Sequence, residues 1–158
     1  MWRSTRSKVH SKLCSGADPN RNFDFKWMQV PGGASAVKCS YTYAGPHALS
    51  EVETKTTDNY LKEHSKEFDV YLAFHSYSQL ILLSYGDGEK PENYDEQLAI
   101  AEESAEWISR RFGTIYEVGN TKEILYATSG TSSDHALYVY GIPVSYTYEM
   151  RPAGGEFS

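Results

Sequence analysis

Apolar runs with two different periods alternate along this chain, and they predict both strands and helices. Residues 70–74 form a near-continuous apolar run of the kind buried inside a sheet, and residues 80–85 form a second strand candidate. A third run, residues 144–150, is rich in β-branched and aromatic residues and follows a turn marked by Gly141 and Pro143. These three runs predict a sheet whose strands are largely buried.

Three other segments have the spacing of helices. The first is predicted to begin after Ser50, with Glu53 completing a capping box, and to run to about Glu67. A second helix spans residues 95–112, and a short one spans residues 132–140. The apolar face of the second helix comprises Leu98, Ala101, Ala105, Ile108 and Phe112. Helices that alternate with buried strands predict an α/β fold whose sheet is covered by helices on both faces.

Length, composition and charge narrow the class of protein. A chain of 158 residues with 40% hydrophobic residues fits one domain with a core of ordinary size. The net charge of −6 argues against a nucleic-acid binder, which needs a basic face. Basic residues do cluster near the start, at Arg3, Arg6, Lys8 and Lys12, but the cluster is short and suits a local anionic group. No apolar stretch reaches the ~18–20 residues of a membrane span.

The two cysteines bear on the cellular compartment of the protein, and the two ends of the chain bear on whether the sequence is truncated. Cys14 and Cys39 could close one disulfide, worth roughly 3 kcal/mol and typical of an oxidising compartment; two buried free thiols are the alternative. Residues 1–6 lack the apolar core of a signal peptide. Because the chain opens without a cap or strand pattern and closes directly after a strong strand, we expect it to be truncated at both ends.

Candidate chemistry lies where the predicted strands end. Glu149 ends the last apolar run, and a carboxylate buried there must be paired or active in proton transfer; an ion pair with Arg151 or a water-facing position is the alternative. His75 follows a buried strand, where ligand sites of α/β sheets gather, although a histidine at such a place is often only hydrogen-bonded. His64 and Glu67 have a spacing that permits metal binding, but their highly charged helix end favours a solvated face.

Five segments, taken together and in this order, carry a more specific signal. They are Trp2-Arg3-x-Thr5-Arg6, the Gly-x-Asp-x-Asn-Arg-Asn pattern that ends at Asn22, His75-Ser76-Tyr77-Ser78-Gln79, the loop of residues 124–130, and Tyr146-Thr147-Tyr148-Glu149-Met150-Arg151. These segments resemble the zinc metallocarboxypeptidases of the pancreatic carboxypeptidase A/B type. The resemblance extends over nearly the whole chain and corresponds to the carboxy-terminal half of that family's catalytic domain.

The resemblance implies a hydrolytic site. Glu149 would be the catalytic base, Arg3 would polarise the scissile carbonyl and stabilise the oxyanion, and His75 would be a ligand of one zinc ion. The family's other two ligands, a His-x-x-Glu pair, lie before the segment that corresponds to Trp2. This chain would therefore supply one of three expected protein ligands and would be inactive by itself.

The resemblance also implies how a substrate is held. Asn20 and Arg21 would bind the terminal carboxylate of a peptide, Tyr77 would line the cleft, and Tyr126 would close over the bound substrate. The floor of the side-chain pocket would be Ser133, or Asp134 if the register shifts by one residue. A neutral Ser133 favours A-like specificity for apolar or mixed C-terminal residues.

Other expectations follow from the same resemblance. Residues 1–158 would form part of a single peptidase catalytic domain with a mixed central sheet, whose missing strands would leave exposed, adhesive edges. Cys14 and Cys39 correspond to the family's disulfide, which favours a secreted protein. The partners would be peptide and protein C-termini, with no nucleic acid and no membrane, and the complete protein would be a monomer. The alternative is a non-catalytic binder of peptide C-termini.

Overall fold

A computed structural model describes residues 3–8 and 14–153 of the chain, and a four-stranded sheet lies at its centre. Trp2, part of the first motif, and Lys12 lie outside the described residues. The strands are β1 (Val70–Ser78), β2 (Leu80–Leu83), β3 (Glu117–Asn120) and β4 (Val144–Ala153). Their order across the sheet is β1-β4-β2-β3, with β1 parallel to β4, β4 antiparallel to β2, and β2 parallel to β3. The predicted mixed sheet is confirmed.

The described helices agree closely with the predicted ones. They are α1 (Val52–His64), α2 (Tyr94–Phe112), α3 (Thr121–Ile124) and α4 (Ser132–Tyr140), with short 3-10 turns at Pro19–Arg21 and Ser65–Glu67. Gly113 ends α2 with a φ of 69°, a left-handed conformation that glycine adopts without steric cost. The short strand β3 and helix α3 were not predicted, because Glu117–Asn120 contains a single large apolar residue, Val118.

Helices cover both faces of the sheet, as predicted. On one face, Ala101 and Ala105 of α2 pack against Ile81, Leu83 and Tyr146 of the strands. On the other face, a second cluster joins α1, α4 and the segment before β4; its buried members are Leu61, Ala136 and Ile142. Phe112 departs from the predicted apolar face of α2, since it is 66% exposed at the last turn of the helix.

The predicted capping box at the start of α1 is wrong. The N-cap residue is Glu51 rather than Ser50, and its side chain makes no capping hydrogen bond to the helix. The Glu51 carboxylate instead accepts a hydrogen bond from Ser50 Oγ at 2.9 Å. The helix end is closer to expectation, because the 3-10 turn Ser65–Glu67 continues the helical path to Glu67.

Strand β1 is less buried than its apolar sequence predicts. It is an outer strand of the sheet, and Val70, Leu72 and Phe74 are respectively 48%, 42% and 66% exposed. All three alternate along the strand and therefore share one face of the sheet. An outer strand with large exposed apolar side chains is a surface prone to association.

The disulfide between Cys14 and Cys39 is present, with the two Cα atoms 5.5 Å apart. It ties the segment that precedes the Pro19–Arg21 turn to the loop near Tyr43. None of the helices in the described ranges combines the length and the apolar character that crossing a bilayer requires.

The exposed edge leads to a prediction about association. The 158-residue chain is expected to self-associate through β1, and Phe74→Lys should weaken this by about tenfold or more, because burying a phenylalanine contributes ~1.5–3 kcal/mol. Trp107→Lys, on the outer side of α2, changes a residue of similar exposure (61%) and should have no effect. Sedimentation equilibrium measures both, and equal effects of the two substitutions would place the contact elsewhere.

Candidate functional site

A cleft opens where β1 and β4 end. Because the two strands are parallel, their carboxyl ends meet at one edge of the sheet, and His75 pairs in register with Glu149. The cleft is lined by seven of the eight predicted site residues: Arg3, Asn20, Arg21, His75, Tyr126, Ser133 and Glu149. Tyr77 is not among the lining residues and is 42% exposed. The structure therefore brings together side chains that are up to 146 positions apart in the sequence, from Arg3 to Glu149.

The two titratable groups on the strands are both shifted by burial. Burial raises the pKa of the Glu149 carboxyl, and the nearby positive charges of Arg3 and Arg21 oppose this in part. Burial also lowers the pKa of the His75 imidazole, and Arg3 adds to that effect while Asp18 opposes it. The cleft therefore favours a neutral imidazole beside a carboxyl group with increased proton affinity.

Arg3 is held at the cleft by Asp18. Its Nε and Nη2 atoms lie 2.8 and 2.7 Å from Asp18 Oδ2, and the Asp18 side chain is almost completely buried. The other oxygen, Oδ1, accepts the backbone N–H of Asn20 at 3.1 Å and so caps the 3-10 turn. One carboxylate thus fixes both the Arg3 guanidinium and the turn that carries Asn20 and Arg21.

Arg21 is the most deeply buried cation of the cleft, with 2% of its surface exposed. Its Nη1 donates to the backbone oxygen of Asn20 at 2.7 Å, while its Nε is buried without a hydrogen-bond partner among the described residues. The ring of Tyr126 lies 6.0 Å from Arg21 Cζ. A guanidinium that is desolvated and only partly hydrogen-bonded is costly unless an anion binds it.

Asn20 links this turn to helix α4. Its Oδ1 accepts the backbone N–H of Ser132, the first residue of α4, at 2.9 Å. This bond orients the side-chain amide, so that its NH2 group is the part available to a ligand in the cleft. It also satisfies one of the unpaired N–H groups at the start of the helix.

The two candidates for the pocket floor have different surroundings. Ser133 lines the cleft, and its Oγ accepts a hydrogen bond from Thr147 Oγ1 at 3.1 Å. Asp134 is buried away from the lining residues and accepts the backbone N–H of Gly86 at 2.9 Å. Burial raises the pKa of the Asp134 carboxyl, and its bond to Gly86 opposes this.

Sequence reasoning missed one buried residue that supports the cleft, Glu51. It is 1% exposed, and its Oε2 accepts hydrogen bonds from Thr5 Oγ1 and from Ser7 Oγ at 2.7 Å. Thr5 Oγ1 in turn accepts the backbone N–H of Ala17 at 2.9 Å. Glu51 therefore anchors the segment that carries Arg3, and no local pattern near Glu51 signals contacts with residues more than 40 positions away.

The described residues do not complete a zinc site. His75 offers one imidazole to the cleft, whereas a catalytic zinc needs three protein ligands. Among the residues that the structure describes, no three His, Cys, Asp or Glu side chains lie together as a metal-binding group. His64 and Glu67 lie on the surface and bind each other, with His64 Nδ1 2.9 Å from Glu67 Oε1, in keeping with the solvated face that we expected.

The sequence of this chain is similar to those of known proteins. A family model described as zinc carboxypeptidase matches residues 1–157. A zinc carboxypeptidase from Simulium vittatum is 46% identical over 156 residues, which cover 98% of this chain and 51% of that protein. The chain thus spans about half the length of this curated relative.

Two solved structures resemble the fold. Bovine thrombin-activatable fibrinolysis inhibitor, in complex with tick carboxypeptidase inhibitor, is 34% identical with a TM-score of 0.91, over 98% of this chain and 52% of that one. Carboxypeptidase A from Helicoverpa armigera is 37% identical with a TM-score of 0.87, over 94% of this chain and 36% of that one. The described fold therefore occurs as a part of larger peptidase structures.

The Glu51 contacts predict a loss of stability on substitution. Glu51→Gln keeps the size of the side chain but replaces one acceptor oxygen by a donor, so that a buried hydroxyl loses its partner. The free energy of unfolding should fall by about 2 kcal/mol, as for other bonds to charged groups. Denaturant titration measures this, and the exposed neighbour Glu53→Gln is the control, expected to change it by less than about 0.5 kcal/mol. Equal effects would refute the anchoring role.

Proposed function

This chain belongs to the zinc carboxypeptidase family, and on that premise we propose that the native protein removes residues from the C-termini of peptides and proteins. The proposal concerns the whole protein, because the chain spans about half the length of its relatives. The observation that carries it is the buried guanidinium of Arg21, whose Nε has no partner among the described residues.

A terminal carboxylate is the anion that suits this guanidinium. No salt bridge to Arg21 is found in the described part of the chain, so its charge is open to a ligand. The planar guanidinium can bind two carboxylate oxygens, and the amide of Asn20 lies on the same turn as a further donor. Tyr126 is half exposed beside Arg21 and would cover the bound end of a peptide.

The chain's own residues suit hydrolysis next to that carboxylate. Glu149, with its increased proton affinity, would accept a proton from the attacking water and pass it to the leaving amine. Arg3, fixed by Asp18, would stabilise the negative oxygen that develops on the carbonyl. The family implies zinc, which activates water and polarises carbonyls when bound. His75 would be one of its ligands, and the remaining ligands would come from outside the described residues.

The same premise extends to the domain and its surroundings. We propose that residues 1–158 are part of a single catalytic domain and, because His75 is one ligand of three, that this chain alone is inactive. The disulfide supports secretion. The net charge of −6 supports peptides rather than nucleic acid as partners. The complete protein is proposed to be a monomer without a membrane partner.

The role of Glu149 predicts a separation of turnover from binding. In the native protein, Glu149→Gln should lower kcat by about 10²–10⁴-fold, the usual contribution of a general base, and leave substrate binding nearly unchanged. Steady-state kinetics and equilibrium binding of a short peptide measure the two quantities, with exposed Glu102→Gln as the control. Full activity of Glu149→Gln would overturn the assignment. Binding without hydrolysis by the unchanged protein would favour the non-catalytic binder instead.

The proposed role of Arg21 predicts that its substitution weakens recognition of the peptide's terminal carboxylate. Arg21→Lys keeps the positive charge but loses the two-pronged donor, so KM for a peptide with a free carboxylate should rise by about 10–100-fold. Binding of the same peptide with a C-terminal amide should be weak in both proteins. Arg111→Lys, at an exposed site on α2, is the matched control. An unchanged preference for the free carboxylate in Arg21→Lys would remove Arg21 from the site.

A further inference from the structure

We propose that the side pocket of the cleft selects C-terminal residues whose side chains are uncharged and form hydrogen bonds, such as asparagine, glutamine or threonine. This inference rests on the proposed function and specifies its substrate class. The pocket, here called the hydroxyl pocket, is formed by Leu82 and by five hydroxyl side chains that line the same cleft: Thr121, Thr128, Thr131, Ser133 and Thr147.

The floor of the hydroxyl pocket is built by three elements. Thr147 of β4 pairs with Leu82 of β2, so the two side chains share one face of the sheet. Ser133, in the first turn of α4, lies over them, and Thr147 Oγ1 donates to its Oγ at 3.1 Å. The backbone oxygen of Ser133 accepts a further bond from Ser145 Oγ at 2.8 Å, which fixes the start of the helix above the strand.

Two hydroxyls of the hydroxyl pocket have hydrogen-bonding capacity that the described residues leave unused. Ser133 Oγ accepts from Thr147, and its own hydrogen has no acceptor within the described ranges. Thr128 Oγ1 is buried without a partner there. By contrast, Thr121 Oγ1 donates to the backbone oxygen of Leu83 at 2.9 Å. Thr128 Oγ1 faces Gly86, so Ser133 Oγ is the hydroxyl whose unused capacity a ligand with an amide or hydroxyl group would satisfy; an aliphatic side chain would desolvate it and leave it unpaired.

Charge narrows the choice further. The six residues of the hydroxyl pocket carry no charge, and Asp134, the other candidate for the pocket floor, accepts the backbone N–H of Gly86 instead. Arg3 and Arg21 lie at the cleft and repel a basic side chain. An acidic side chain would lose its water without gaining a cation, if Arg21 is occupied by the terminal carboxylate. The neutral floor at Ser133 therefore favours polar side chains over the apolar or mixed ones expected from the sequence.

The test compares side chains of equal shape. Acetyl-glycyl peptides ending in Asn or Leu, and in Thr or Val, are given to the native protein, and kcat/KM is measured for each. We expect Asn over Leu by about tenfold or more, and Thr over Val in the same direction. If the protein binds without hydrolysis, the same ratios are read from competition binding. A preference for Leu over Asn would overturn the inference.

A variant of Ser133 and a peptide with a modified C-terminus distinguish failure of the proposed selectivity from failure of the proposed function. Ser133→Ala should lower kcat/KM for the Asn peptide and raise it for the Leu peptide, because the hydroxyl that Leu leaves unpaired is gone, whereas a folding defect lowers both values. An unchanged Asn-to-Leu ratio in Ser133→Ala would also overturn the inference. If all four peptides are hydrolysed but Leu is preferred, only the proposed selectivity is contradicted. The modified peptide carries a C-terminal amide in place of the free carboxylate. If the protein does not distinguish the two forms, the proposed function itself is contradicted.

Discussion

The parallel pairing of β1 with β4 is the constraint on which the rest of the structure depends. The register sets His75 beside Glu149 at the edge of the sheet, and on the opposite face it sets Phe74 beside Tyr148, with ring centroids 5.7 Å apart. Because side chains alternate along a strand, a shift of one residue would move Glu149 out of the cleft. The apolar packing on one face therefore fixes the chemistry on the other.

The cations of the cleft do not come from the sheet, and their placement depends on buried polar bonds. Asp18 joins Arg3 to the 3-10 turn, Asn20 joins that turn to Ser132, and Glu51 joins the segment around Thr5 to α1. Each of these side chains bonds to a segment other than its own, and the bond of Asp18 also holds the charge of Arg3 at the cleft. A fold that buries so many polar groups is stable only when their partners are fixed, which also gives the cleft its preorganised charge.

Local patterns in the sequence predicted the elements whose signals are local. Helix α2 has a regular apolar spacing and a glycine stop, and α4 lies between strong turn residues, so both were predicted to within one residue. Strand β3 has little apolar character and depends on pairing with β2, and the exposure of β1 depends on its place in the sheet. The site residues were identified by resemblance. Glu51 was missed because its bonds to Thr5 and Ser7 are set by the tertiary fold.

The most direct test of the central claim is mass spectrometry of a defined peptide after incubation with the native protein. If Arg21 binds the terminal carboxylate and Glu149 is the nearby base, the peptide should lose single residues stepwise from its C-terminus. This loss should stop when a chelator removes the metal. Internal fragments, loss of residues from the amino terminus, or an unchanged peptide would contradict the account.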